Sequence, residues 1–383
     1  MDLTQLVADA RKRLDLPVHL ARGLPNACYT DHDFFRLEQE RIFGRHWTAV
    51  GVGAEIPNPG DVKPVEVAGR PVLLVRDKAG AVRAFHNVCS HRGMTLYDKP
   101  CQGQAALRCP YHSWAYGLDG KLRATPYVGG PHQNSHPDFD KSDKGLKPVR
   151  VAMQWDIVFV DLSGQAPELS AWLAPIAERW AGYDLSQMRH GALADSTGRF
   201  ELKANWKLAM ENFCESYHLP WIHPGLNSYS RLEDHYHIFG EHLFAGQGST
   251  KYAPVQSGNG VFPTFPGIAP ERAAHAEYLA VLPNFWLGLQ IDHFYVVILD
   301  AVAPDRVVET MHLYYLGDAA TDDTYGSLRQ RNSELWSQVF LEDVGVVEGM
   351  QRGRRSPAFD GGAFSPAMDT PTLHFHRMVA GAL

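Results

Sequence analysis

Cysteine is scarce in this chain. Its five copies, Cys28, Cys89, Cys101, Cys109 and Cys214, are unevenly spaced. An odd number at irregular spacing argues against a disulfide framework and makes a reducing cytoplasm the simplest setting. Long apolar runs are missing too. The longest, such as 294–299, are strand-sized, so no membrane span is expected. Positive charge is not in excess: 36 Lys and Arg stand against 43 Asp and Glu, for a formal charge of −7. No basic stripe forms, which argues against a nucleic-acid partner. The opening MDLTQLVADARKRLDL carries acidic residues and no apolar core, so it does not read as a secretory signal. No internal repeat is visible. What is plentiful is ordinary for a soluble globular protein, and 383 residues suit two domains.

The two halves differ in texture. A helix is predicted over 31–43 from its apolar spacing. Short strands then follow at 47–52, 61–67, 71–75 and 82–86, bounded by Gly, Pro or Asp. DKAG at 77–80 and LDGKL at 118–122 read as hairpin turns, and 149–160 supplies more strand. From about 166 the pattern becomes mixed. Helix is expected at 167–180 and 205–218, and strand at 199–203, 276–282, 285–291, 294–303 and 307–316. A last long helix is expected over 322–352, with Asp322 as its N-cap. The fold class is α+β: an all-β first domain, then a domain with an antiparallel sheet. The segment 253–270 is long for a loop and reads as a lid or binding loop.

The stretch CSHRGMTLYDKPCQGQAALRCPYH offers Cys89 with His91 and Cys109 with His112. Thiolate and imidazole both bind zinc and iron, and spacing alone admits a structural zinc. Zinc fingers, however, pair Cys with Cys and His with His along the chain. Here each pair mixes the two. That mixture suits a [2Fe–2S] cluster with two Cys on one iron and two His on the other. Neutral imidazoles replace anionic thiolates, so the potential rises to about −150 to +300 mV, against about −400 mV for a four-Cys cluster.

A second set of residues lies in NWKLAMENFCESYHLPWIHPGLN, from Asn205. Glu211, Glu215 and His218 are spaced to share a helical face. Pro220 interrupts regular helix, which frees His223 to return toward His218. Two His and a distant carboxylate make the facial triad of non-haem Fe(II) oxygenases. Nineteen histidines are spread along the chain, so two near each other could equally be packed or solvated. In LEDVGVVEGMQRG, Asp343 sits among valines, where a bare charge is costly and a metal would relieve it. Its neighbour Glu342 is the rival for that ligand position and is expected to face solvent instead.

Together C-S-H-R-G, C-P-Y-H-S-W and E-N-x-x-E-S-Y-H-x-x-x-x-H resemble the Rieske non-haem iron oxygenase large (alpha) subunits over nearly the whole chain. Met94 and Tyr111 stand where respiratory Rieske proteins have a disulfide. The resemblance implies an N-terminal helical segment over 1–45 that packs on the catalytic domain. It implies an all-β Rieske [2Fe–2S] domain over 46–162 and a helix-grip (START-like) catalytic domain over 163–383. It implies that Cys89, His91, Cys109 and His112 hold the cluster, and that His218, His223 and Asp343 hold a mononuclear Fe(II). Glu215 falls at the position of the acidic residue that links a Rieske histidine of one subunit to an iron-ligand histidine of the next. Many aromatic-ring members have Asp there. The implied assembly is a homotrimer, closed as a ring. The implied chemistry is O₂ activation with NAD(P)H electrons delivered through a separate flavin/iron–sulfur reductase.

L-P-N-A-C-Y-T near the start and L-H-F-H-R-M near the end are similar to the choline monooxygenase, carnitine oxygenase and betaine demethylase branch. That implies hydroxylation or N-demethylation of a small quaternary ammonium substrate, a cation that aromatic faces hold. Tyr229, Phe285, Trp286, Phe294 and Tyr295 are candidate wall residues, although aromatics in a sheet are usually core. His235, His237 and His242 read as polar loop residues. Two rivals stay open: an aromatic ring hydroxylase or aryl-ether O-demethylase, and a Rieske electron carrier fused to a ligand-binding domain.

Overall fold

The structure, a computed structural model, describes residues 2–257 and 260–383. Residues 258 and 259 of the expected 253–270 loop therefore lie outside the described residues. The chain divides into two compact units, 43–172 and 1–42 with 173–383. The divisions fall at 42/43 and 172/173, where the sequence suggested 45/46 and 162/163. The added residues belong to the first unit's own packing: Arg150 pairs with Glu168 at 2.6 Å, and the Phe159 and Trp172 rings lie 6.0 Å apart.

The 43–172 unit is all β. Its strands are β1 (Thr48–Val52), β2 (Val62–Val67), β3 (Arg70–Arg76), β4 (Val82–His86), β5 (Leu107–Arg108), β6 (Ala115–Tyr116), β7 (Leu122–Ala124), β8 (Pro148–Gln154) and β9 (Ile157–Asp161). Six form one sheet in the order β1-β9-β8-β4-β3-β2, and β5-β6-β7 form a second. Both expected hairpin turns form. Asp77 Oδ1 accepts from the Ala79 and Ala81 amides at 2.9 Å, an Asx turn. Gly120 takes φ +79° with the Phe85 ring 2.4 Å from where a Cβ would sit, so only glycine fits. Cys89 and Cys109 are buried in one core with Leu73, Phe85, Leu107 and Tyr116. Cys101, which pairs with Val62 in an isolated bridge, is half-buried against the same core.

The second unit holds an eight-stranded antiparallel sheet. Its strands are β10 (Met188–His190), β11 (Thr197–Leu202), β12 (His235–Gly240), β13 (Phe244–Ser249), β16 (Ala276–Val281), β17 (Phe285–Leu289), β18 (His293–Ala303) and β19 (Arg306–Leu316); β14 (Gln256–Ser257) and β15 (Gly260–Val261) pair separately. The order is β10-β19-β18-β17-β16-β13-β12, with β11 on β19. The long helix Gly326–Gly353 packs against β11 and the helix Trp206–Phe213, the helix-on-sheet arrangement expected. Asp322 caps a short 3₁₀ turn ahead of it.

Residues 2–42 pack within this unit. Helix Leu3–Leu14 lies on helix Thr370–Ala382, with Arg11 Nε 2.9 Å from the Ala380 carbonyl. Lys207 Nζ meets Glu38 Oε1 at 2.6 Å, both fully buried, and the ammonium faces the Tyr29, Phe34 and Trp206 rings. Removing one partner of such a pair costs about 3–5 kcal/mol, because the other charge is stranded. The pair fixes the helix from which the site residues emerge.

Two expectations fail here. The helix predicted over 205–218 ends at Phe213, where the Cys214 amide bonds the Met210 carbonyl. Glu215 and His218 lie beyond it, so the three residues do not share a helical face. Glu211 instead points into a buried network with Tyr29, His376 and Arg354. HYHIFG is a strand, not a polar loop: His235 and His237 pair with Ser249 and Gln247 across β12 and β13. No helix of the described residues is long and apolar enough to cross a membrane.

Candidate functional site

The first unit brings its Cys/His pairs onto two loops of matching design. The Cys89 amide bonds the Met94 carbonyl, and the Gly93 amide bonds the Cys89 carbonyl. The Cys109 amide likewise bonds the Trp114 carbonyl, and the Ser113 amide the Cys109 carbonyl. The fourth residue after each cysteine has positive φ, Gly93 at 75° and Ser113 at 57°. The left-handed turn is free for glycine and strained for serine, which the second loop accepts to keep the geometry. Both sulfurs are buried. Burial raises the pKa of the Cys109 thiol, and backbone N–H groups of Tyr111 and His112 aimed at the sulfur counter only part of that rise. The imidazoles form the outer end: His91 is exposed, His112 half-buried, their centroids are 4.7 Å apart, and His91 stacks on Trp114.

These residues fit a mixed-ligand cluster. Two buried sulfurs lie on one side and two imidazoles on the other, and His112 Nδ1 is buried without a protein partner. Tyr116 Oη lies 3.1 Å from Cys89 Sγ, where the phenol donates to a thiolate. Tyr116→Phe should lower the cluster potential by roughly 40 mV, one net hydrogen bond of ~1 kcal/mol. Protein-film voltammetry reads this directly, and an unchanged potential would remove the phenol from the account.

In the second unit, His218, His223 and Asp343 converge, each offering an atom within 4.8 Å of the others. A four-residue helix, Leu219–Ile222, separates the histidines, with His218 at its N-cap and His223 at its C-cap. Pro220 starts this helix rather than breaking one, since a first-turn proline lacks only an N–H that would go unused. His223 Nε2 lies 3.1 Å and His218 Nε2 3.7 Å from Asp343 Oδ1. Each outer nitrogen meets a carboxylate: His218 Nδ1 with Glu215 Oε1 at 2.6 Å, His223 Nδ1 with Glu342 Oε2 at 2.8 Å. Glu342 was expected to face solvent. It is instead half-buried and orients a histidine. Burial opposes protonation of His223, but Asp343 and Glu342 outweigh it and raise its pKa. Nε2 atoms turned toward a shared carboxylate, with Nδ1 atoms held by acids, are what a 2-His-1-carboxylate metal site requires. Asn212, at the end of its helix, reaches Asp343 Oδ1 at 3.2 Å.

The three residues form one wall of a cavity of about 50 Å³. Phe213, Tyr278, Tyr295, Trp336 and Phe340 supply its aromatic wall, and His235 and Gln247 its polar side. Of the five aromatics proposed from sequence, only Tyr295 is on this wall. Trp286 lies behind it, stacked on Phe213 at 4.5 Å. Phe285 and Phe294 alternate with Trp286 and Tyr295 along their strands and so point to the other face, where Phe294 meets Trp180 and Tyr314. Tyr229 is partly exposed and not on the wall. Trp336, Val339, Phe340 and Asp343 are spaced as one helical face, a pattern that could have been read outward from Asp343. Gln247 ties the wall to Glu215: its Oε1 lies 2.7 Å from His235 Nδ1 and its Nε2 donates to the Glu215 carbonyl at 2.9 Å.

Glu309 on β19 is buried near Asp343, and burial, then the Asp343 charge, pushes its pKa up to about 8. The native state therefore holds this proton to higher pH than the unfolded chain. The stability it contributes is complete below about pH 4.5 and is lost as pH rises toward 8. In metal-free protein, Glu309→Gln should match the wild type at pH 5 and melt at higher temperature at pH 8. Equal melting temperatures at both pH values would contradict this.

Residues 189–383 match the family described as ring hydroxylating alpha subunit (catalytic domain), and residues 46–137 match the Rieske [2Fe-2S] domain. The glycine betaine monooxygenase oxygenase subunit of Chromohalobacter salexigens is 29% identical over 385 residues, covering 92% of this chain and 84% of the relative. The chloroplastic choline monooxygenase of Arabidopsis thaliana is 27% identical, covering 99% and 86%. A solved quaternary ammonium Rieske monooxygenase, described with insights into carnitine oxidation and inter-subunit electron transfer, shares the fold with a TM-score of 0.79 at 23% identity, covering 97% of this chain and 98% of the other.

Proposed function

Because the chain belongs to the ring hydroxylating alpha subunit family, with a Rieske [2Fe–2S] domain ahead of its catalytic domain, we propose that it is a cytoplasmic oxygenase component that removes or hydroxylates an N-methyl or neighbouring carbon of a small quaternary ammonium compound. The observation that carries this reading is the convergence of His218, His223 and Asp343 at the wall of a small aromatic cavity. Cys89, His91, Cys109 and His112 would hold the cluster and His218, His223 and Asp343 the single iron. When bound, these groups supply electrons one at a time and a site for O₂ activation.

The protein's own residues do the rest. Glu215 and Glu342 hold the two imidazoles by Nδ1, so Nε2 stays free to bind metal. Tyr278, Tyr295 and Trp336 line the cavity, and aromatic rings are what hold a quaternary cation. The cavity has room for roughly three or four waters, which suits a compact ammonium compound better than a fused aromatic ring. For a trimethylammonium substrate the reaction balances as follows. One O₂, two electrons and two protons convert it to the dimethylammonium compound, formaldehyde and water. The electrons come from NAD(P)H through a flavin/iron–sulfur reductase.

Glu215 also carries the proposed contact between copies. Its Oε1 meets His218 and its Oε2 accepts from the Tyr217 amide. Each carboxylate oxygen keeps a further lone pair for an imidazole N–H from another chain. The exposed pair Tyr217 and Trp221 borders Glu215, and exposed Met94 and Tyr111 border the cluster histidines. These apolar rims suit each other in a homotrimeric ring that places one copy's His91 or His112 against the next copy's Glu215.

Formaldehyde release from betaines, choline and carnitine, set against methoxyaromatics and naphthalene, tests the substrate class. Release from the ammonium panel alone is expected. Turnover of the aromatic panel alone would overturn the reading.

A further inference from the structure

The fixed charges that border the cavity share one sign. Asp343 lines it directly. Glu215 and Glu342 each stand one imidazole away, behind His218 at 2.6 Å and His223 at 2.8 Å. A fourth carboxylate lies behind Trp336, another wall residue. Trp336 Nε1 donates to His293 Nε2 at 2.8 Å, and His293 Nδ1 lies 2.8 Å from Asp292 Oδ1. A histidine that accepts on Nε2 keeps its one proton on Nδ1, so His293 brings Asp292 no positive charge. A bound ferrous ion would add two positive charges against Asp343, Glu215 and Glu342, and the surroundings would still be negative.

Nothing on the wall balances these charges. Among the described residues that line the cavity there is no Lys or Arg. The nitrogens of its polar side already make bonds within the protein. His235 donates from Nδ1 to Gln247 Oε1 at 2.7 Å, and its Nε2 lies 3.0 Å from Ser230 Oγ. Gln247 Nε2 donates to the Glu215 carbonyl at 2.9 Å. The indole N–H of Trp336 is taken by His293. Burial, then a neighbouring phenol, raises the pKa of Tyr278 and of Tyr295, and no lysine or arginine pulls either back down. A cation entering this cavity is drawn by every charge named. A carboxylate on the same molecule would shed its water, face those carboxylates and meet no cation.

We infer that the substrate is an N-methylated cation with an uncharged tail, of the choline type, and that compounds with a carboxylate tail, the betaines and carnitine, are selected against. The inference rests on the quaternary ammonium reading above and narrows it. The choice between tails comes from repulsion built into the site, more than from contacts to the favoured tail.

Calorimetry on the anaerobic holoenzyme with choline, tetramethylammonium and glycine betaine tests this. The first two carry a single positive charge, and the third adds a carboxylate. Choline should bind at least about tenfold tighter than glycine betaine, with tetramethylammonium on the choline side, because like charges brought together cost that much or more. Leu226, half-buried on the cavity wall, is a place to add a cation. Leu226→Arg should shrink the preference to about twofold or reverse it. Leu226→Gln, polar but uncharged, should leave it intact. Melting is followed for both, and the wild-type comparison decides alone if Leu226→Arg does not fold. Glycine betaine bound as tightly as choline by the wild type would overturn the inference and leave the quaternary ammonium reading standing. A folded Leu226→Arg that keeps the full preference would also overturn it. Binding of none of the three would sink the quaternary ammonium reading itself.

Discussion

Replacing Glu215 with Gln should leave both metal sites filled and slow product formation by about a hundredfold or more, the scale set by losing an orienting carboxylate and misplacing a reacting partner. The substitution keeps the size of the side chain and an acceptor for His218 Nδ1, but it removes the charge that, in the proposed ring, would attract an imidazole from another copy. Within its own unit Glu215 bonds His218 and the Tyr217 amide, and its carbonyl accepts from Gln247; none of these residues is a cluster ligand. The cluster's absorption should therefore be unaltered. Single-turnover measurements on the chemically reduced protein separate the causes. The cluster should reduce normally and then reoxidise slowly in the presence of substrate and O₂. Glu215→Ala should do the same more severely. Full activity in either variant would remove Glu215 from the account.

The second large effect concerns Asp343. Its Oδ1 is the atom on which both His Nε2 atoms converge, at 3.1 and 3.7 Å. Asp343→Ala should lower iron from about three per chain (two in a cluster, one in the second site) to about two. Formaldehyde release should disappear while the cluster spectrum persists. Glu342→Gln makes the graded counterpart. It leaves the three ligands in place but weakens the hold on His223 Nδ1, and should reduce metal affinity roughly 10- to 100-fold. If Asp343→Ala keeps its third iron, the ligand set is wrong. If the wild type holds only two irons, the electron-carrier reading takes its place.

What could be read from the sequence follows from how local each signal is. The cluster loops were legible because ligand identity, spacing and the positive-φ Gly93 all lie within a few residues. His218 and His223 were legible for the same reason, and Asp343 through its apolar neighbours. The backbone that carries them was not. The run from Cys214 to His218 has helical spacing, but the side chain of Glu215 accepts from the Tyr217 amide two residues on, and His218 caps a new turn. HYHIFG hid a strand because His235 and His237 alternate with Tyr236 and Ile238, and both faces are partly covered. The wall residues failed on parity. A strand places alternate side chains on opposite faces, and the sequence names the aromatics without naming the face. Tyr295 faces the cavity, and Phe294 beside it does not. Glu342 was misread because nothing near it in the sequence announces His223, which comes in from beyond the helix to meet it.

In the proposed ring, a cluster in one copy serves the iron site of another. Co-expression of two inactive variants tests it most directly. Cys109→Ser with His112→Ala removes the cluster, and Asp343→Ala removes the single iron. Each alone should release no formaldehyde from the ammonium panel. Mixed rings should recover a substantial fraction of wild-type release, because an intact cluster of one chain then faces an intact iron site of its neighbour. A mixture as inactive as its parents, in rings shown by mass spectrometry to contain both chains, would contradict the claim.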